Sequence, residues 1–78
     1  MEHDSKATKR EVLFFFKKRE SVSVQDLMSE FGYVFEGARS KLRRLEDGKL
    51  ITKLGIQPGV FCLTELGHRR VERYDQRQ

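Results

Sequence analysis

The chain has 78 residues, a formal net charge of +4, and charged residues make up 36% of it. That length bounds it to one domain with one small core, and the basic balance is compatible with a polyanionic partner. A single cysteine, Cys62, excludes an internal disulfide and a zinc site built on cysteines of this chain, and the longest purely apolar run, Val12 to Phe16, is too short to cross a bilayer.

His3 and His68 have no ligand-like spacing, so no metal and no cofactor is expected. The start, MEHDSKATKR, lacks the apolar run of a secretory signal, and the expected setting is soluble and cytoplasmic. Residues 1–78 read as one domain with an ordered core over about 6–74. Residues 1–5 read as a loose arm and 75–78 as a loose end.

Residues 6–19, KATKREVLFFFKKR, have helical periodicity. Val12, Phe15 and Phe16 share a face, with Leu13 at its margin. Phe14 points away among Arg10, Lys17 and Lys18, which marks it as an exposed ring. In SVSV, residues 21–24, Val22 suits a short strand and Ser23 suits a helix N-cap, with Asp26 in the negative first turn. Val24, Leu27, Met28 and Phe31 then form a stripe that Gly32 ends.

The next helix is predicted over 35–47, FEGARSKLRRLED. Ala38, Leu42 and Leu45 lie within roughly 40° of one another at helical pitch and make its buried seam. Glu36, Arg39, Ser40 and Arg43 lie across the helix, with Lys41 and Arg44 on its flanks, and Gly48 closes it. LITKL, residues 50–54, and VFCLT, residues 60–64, have strand character. GIQPG between them makes a five-residue hairpin loop. Thr64 caps a last helix, ELGHRRVERY, whose apolar residues are Leu66, Val71 and Tyr74. Cys62 reads as a small, half-buried strand residue and His68 as a surface one.

Two helices joined by a tight glycine-containing turn are a helix-turn-helix signature, and a hairpin follows directly. SVSVQDLMSEFGYVFEGARSKLRRLEDGKLI resembles the helix-turn-helix core of winged-helix DNA-binding domains, and LITKLGIQPGVFCLTELGHRRVE resembles their wing and following helix. The pattern Leu-x-x-Leu-x-x-x-Gly-Leu-Ile is matched by Leu42, Leu45, Leu50 and Ile51, with Lys49 where glycine is usual and Gly48 one place early. LTELGHRRVE is similar to the LTxxGxxxxE ending of many small bacterial and archaeal transcription regulators. The resemblance covers residues 7–74. It implies an α+β, mainly α fold: a winged helix-turn-helix with a three-helix core, a β-hairpin wing over about 50–64 and a C-terminal helix. It also implies that residues 35–47 form the recognition helix and GIQPG the wing tip.

The residue types suit that role. Side chains spaced i, i+3, i+4 and i+7 project from one side of a helix into a major groove, as Glu36, Arg39, Ser40 and Arg43 do. Arginine pairs bidentately with guanine or phosphate, serine can donate or accept, and glutamate accepts from cytosine N4. Lys41 and Arg44 suit phosphate contacts, and Lys53, lower on the strand, is a further DNA-binding candidate. The bland alternative is a solvated helix face, with Arg43 and Arg44 paired to Glu46 and Asp47. The expected function is sequence-specific binding of double-stranded DNA by a small transcriptional regulator. A module for protein or RNA contact is the alternative, kept open by Glu36 and by a wing tip without Arg or Lys. A homodimer is expected, with Phe14, Val71 and Tyr74 as its interface; the alternative is that the last helix covers Phe14 within one chain. The sequence holds no phosphate-cradling glycine loop and no nucleophile–base pair, so no catalytic residue is expected.

Overall fold

The structure, a computed structural model, describes residues 7–56 and 59–76, with side chains through Tyr74. Expectations for residues 1–6, for Gln57 and Pro58 in the hairpin loop, and for residues 77–78 lie outside the described residues. The rest is α+β and mainly helical: α1 (Lys9–Arg19), β1 (Val22–Ser23), α2 (Val24–Phe31), α3 (Phe35–Asp47), β2 (Ile51–Lys53), β3 (Val60–Leu63) and α4 (Glu65–Gln76).

α1 begins at Lys9, three residues later than its periodicity suggests, because Thr8 caps it. The Thr8 hydroxyl accepts the Glu11 N–H at 3.1 Å, and the Glu11 carboxylate accepts the Thr8 N–H at 3.0 Å. A reciprocal pair of this kind satisfies two amides that the helix start leaves open. Val12, Phe15 and Phe16 are buried as expected, and Leu13 is buried with them. Phe14 is half-buried, a correction to its reading as an exposed ring. The reason is that α1 packs against both α4 and β3, so two neighbours cover a wider arc than one apolar stripe.

β1 is two residues long and pairs antiparallel with β3, Val22 opposite Phe61 and Ser23 opposite Val60. Ser23 then caps α2 in a second reciprocal pair with Asp26, at 3.2 and 2.9 Å. Gly32 ends α2 in the left-handed conformation, φ 77°, with its N–H donating to the Met28 carbonyl at 2.9 Å. Phe15 of α1 meets Phe31 of α2 edge-on at 5.4 Å, and Phe31 meets Tyr33 at 6.4 Å. Contacts of this geometry contribute roughly 0.5–1.5 kcal/mol beyond their buried area. Tyr33 is buried in the turn before α3, and its hydroxyl donates to the Ala7 carbonyl at 3.4 Å. The ring lies over Gly37, where an added Cβ would stand 3.3 Å from it.

α3 has the predicted bounds, and Ala38, Leu42 and Leu45 are buried on its side toward α2. Its end departs from expectation in one detail. Gly48 occupies the C-cap with φ −80°, while Lys49 takes the positive φ, 67°. The Lys49 and Leu50 N–H groups donate back to the Glu46 and Leu45 carbonyls at 2.9 and 3.0 Å. The position where the resemblance puts glycine is thus the one whose backbone calls for it.

β2 and β3 pair Ile51 with Leu63, Thr52 with Cys62 and Lys53 with Phe61, and the sheet order is β1-β3-β2. The Leu54 N–H donates to the Val60 carbonyl at 2.8 Å, which leaves residues 55–59 as the loop. Thr64 caps α4 as expected: its hydroxyl accepts the Gly67 N–H at 3.0 Å and donates to the Lys49 carbonyl at 2.6 Å. Its own N–H donates to the Leu50 carbonyl at 3.0 Å. α4 lies so close to that strand start that a Cβ on Gly67 would collide with the Leu50 carbonyl oxygen. α4 continues through Gln76, so residues 75 and 76 are helical where a loose end was expected. Val71 is the core residue of α4, Tyr74 is half-buried and Leu66 is exposed. Among the described residues no helix is long and apolar enough to cross a membrane.

Candidate nucleic-acid interface

Burying Ala38, Leu42 and Leu45 turns the opposite side of α3 outward. Glu36, Arg39, Ser40 and Arg43 are all exposed there. They line an open groove of about 500 Å³ together with Lys53 of β2 and Gly59 of the hairpin loop. Val24 at the start of α2, Leu42 and Phe61 form its apolar lining, and Glu46 adds a second carboxylate. The structure therefore brings five of the seven sequence-selected residues to one groove. It leaves Lys41, half-buried, and Arg44, exposed, outside that lining.

The cations in the groove are open to a partner. Arg39, Arg43, Arg44 and Lys53 have no hydrogen bond or ion pair among the described residues. The bland pairing of Arg43 and Arg44 with Glu46 and Asp47 is therefore not made. Exposed ion pairs do form elsewhere: Arg69 reaches Glu65 at 3.2 Å and Arg19 reaches Asp26 at 3.7 Å. Such pairs contribute about 0–1 kcal/mol, so they bear little on folding.

Arg39 does have one neighbour. Its guanidinium carbon lies 5.8 Å from the Phe35 ring centroid, within cation–π range. Phe35 opens α3 and is 51% exposed, beside Val34 at 70%. Sequence reasoning passed over Phe35, although its i,i+4 spacing from Arg39 was visible. It also passed over Glu46 and the Val24–Phe61 lining, which only the sheet pairing brings close to α3.

The hairpin end of the groove is uncharged among the described residues. Ile56 at the loop is 99% exposed. Of the three residues expected at a dimer contact, Val71 is 1% exposed and belongs to the core of its own chain. Phe14 and Tyr74 are half-buried and face each other, ring centroids 6.3 Å apart, with the Arg10 guanidinium 5.6 Å from the Tyr74 ring. α4 thus covers Phe14 from within the chain.

Cys62 is a free, half-buried thiol on β3, and His68 is exposed on α4. Among the described residues no three His, Cys, Asp or Glu side chains are placed to hold a metal ion. Comparisons with protein-family models, with curated proteins and with solved structures found no match.

Proposed function

We propose that the chain is a winged helix-turn-helix domain that binds double-stranded DNA sequence-specifically, as a small cytoplasmic transcription regulator. α3 enters the major groove, and the β2–β3 hairpin is the wing beside it. One observation carries this reading. α3 hides its Ala38–Leu42–Leu45 seam while Arg39, Ser40 and Arg43 share an open groove with Lys53, and none of the three cations is held in an ion pair among the described residues. The order of helices and hairpin supports it, as does the short turn from α2 to α3. In this role Arg39 and Arg43 read base edges, Glu36 and Ser40 add acceptors and a donor, and Lys53, Lys41 and Arg44 meet phosphates.

A second reading has its own support. Glu36 and Glu46 place two carboxylates among three cations, and the described part of the hairpin loop offers Ile56 in place of a cation. Those features suit a protein or RNA partner better than a phosphate backbone.

Duplex titration by fluorescence anisotropy at several salt concentrations separates the two. The DNA reading expects a log–log salt slope of about −4 to −5, as about 4 to 6 phosphate contacts give. Arg43→Ala is expected to weaken a preferred site by roughly 1–3 kcal/mol and random duplex by less. An absence of duplex affinity at low salt would hand the groove to the protein or RNA reading.

A further inference from the structure

We infer that Phe35 and Arg39 act as one reading element, which recognises the 5-methyl group of a pyrimidine followed by guanine. The inference rests on the DNA-binding reading and adds a chemical preference to it.

Folding does not account for Phe35. It is the first residue of α3, half of it faces solvent, and the exposed Val34 precedes it. Only 60° separates it from Ala38 at helical pitch of about 100° per residue, yet Ala38 is fully buried while Phe35 is 51% exposed. What the ring does contact is the Arg39 guanidinium, at 5.8 Å. That contact sets the guanidinium beside the ring. The pair thus presents an apolar surface and a fork of donors side by side, at the end of α3 that leads into a major groove in helix-turn-helix docking.

A major groove offers a matching arrangement. The pyrimidine 5-methyl group is its apolar feature, and guanine N7 and O6 are its paired acceptors. Base planes stack about 3.4 Å apart along a strand, so a ring and a guanidinium 5.8 Å apart can serve neighbouring bases. Glu36 stands next to Phe35 and disfavours a phosphate there, which leaves base edges as the partner. Thymine and 5-methylcytosine carry the same methyl group, and the chemistry named here is common to both.

The test uses the full chain and a duplex selected by wild type from a randomised pool. The selected site is expected to hold a T followed by G. The duplex is then made with T, U, 5-methylcytosine or C at that position, each paired with its complement. Wild type is expected to prefer T over U, or 5-methylcytosine over C, by about fourfold. That is the fold-change equivalent to about 0.8 kcal/mol for one buried carbon. The two arms tell which base carries the methyl group. Phe35→Ala is expected to bring both ratios to about one while binding to U and C duplexes persists. Phe35→Leu, which keeps an apolar side chain, is expected to keep part of the preference. Circular dichroism melts confirm that both variants fold. Wild-type ratios near one, ratios unchanged in Phe35→Ala, or a selected site without the pyrimidine–guanine step would overturn the inference and leave DNA binding standing. No duplex binding by wild type at all would instead remove the reading beneath it.

Discussion

α4 and α3 start in opposite ways. α4 begins under Thr64, whose hydroxyl accepts one open amide and donates to the Lys49 carbonyl. α3 begins under Val34, with no side-chain cap, and its first residue is an exposed phenylalanine. α1 and α2 follow α4's pattern, each with a reciprocal Thr–Glu or Ser–Asp pair. A capped start is the ordinary way to satisfy the orphan amides of a helix. Three starts are therefore capped by side chains, and the fourth has no side-chain cap. In the DNA reading, the α3 start and the side chains around it face base edges.

The contrast can be attacked from both ends. The largest effect is expected at α4. Thr64→Ala removes the cap and the bond to Lys49, and should lower unfolding free energy by about 2 kcal/mol in urea melts. Duplex affinity per folded molecule should not change. A loss of affinity as large as the loss of stability would mean that the α4 start belongs to the binding surface too. Val34→Ser gives α3 the cap it lacks. Stability should rise by about 0.5–1 kcal/mol, while duplex affinity falls about two- to fivefold as amides now bonded to the serine hydroxyl are withdrawn from base-edge acceptors. Tighter binding by the capped variant would show that the open start has no part in recognition. The smallest effect is expected at the other end of α3. Lys49→Gly relieves the positive φ and should add roughly 0.5–1 kcal/mol to stability, with duplex affinity unaltered.

Much of this architecture was legible before any coordinates. Periodicity located α3 to the residue, because Ala38, Leu42 and Leu45 form a single buried seam along the helix. Ser23, Gly32 and Thr64 announced helix ends because capping is chemistry between near neighbours in sequence. What stayed hidden depended on contacts distant in the chain. Leu13 is buried beyond the apolar stripe because α1 packs against both α4 and β3. Tyr33 is held by Ala7, 26 residues earlier. The positions of Lys53 and Phe61 relative to α3 follow from strand register, which a hairpin signal alone does not set. In the candidate site, residue type selected Arg39 and Arg43 correctly as outward cations. The Phe35 stack was missed because an apolar residue near a seam is usually read as part of it.

The position of β2 at the border of the sheet has a consequence for how the domain behaves in a crowd of its own copies. β2 pairs with β3 on one side only, and its strand is three residues long. Such a border is a template on which a neighbouring molecule can lay a strand. Thr52 and Lys53 are exposed there, and a short strand ending in a fixed cation is a poor template. An apolar substitution at Lys53 is therefore expected to raise self-association while it removes a charge from the groove.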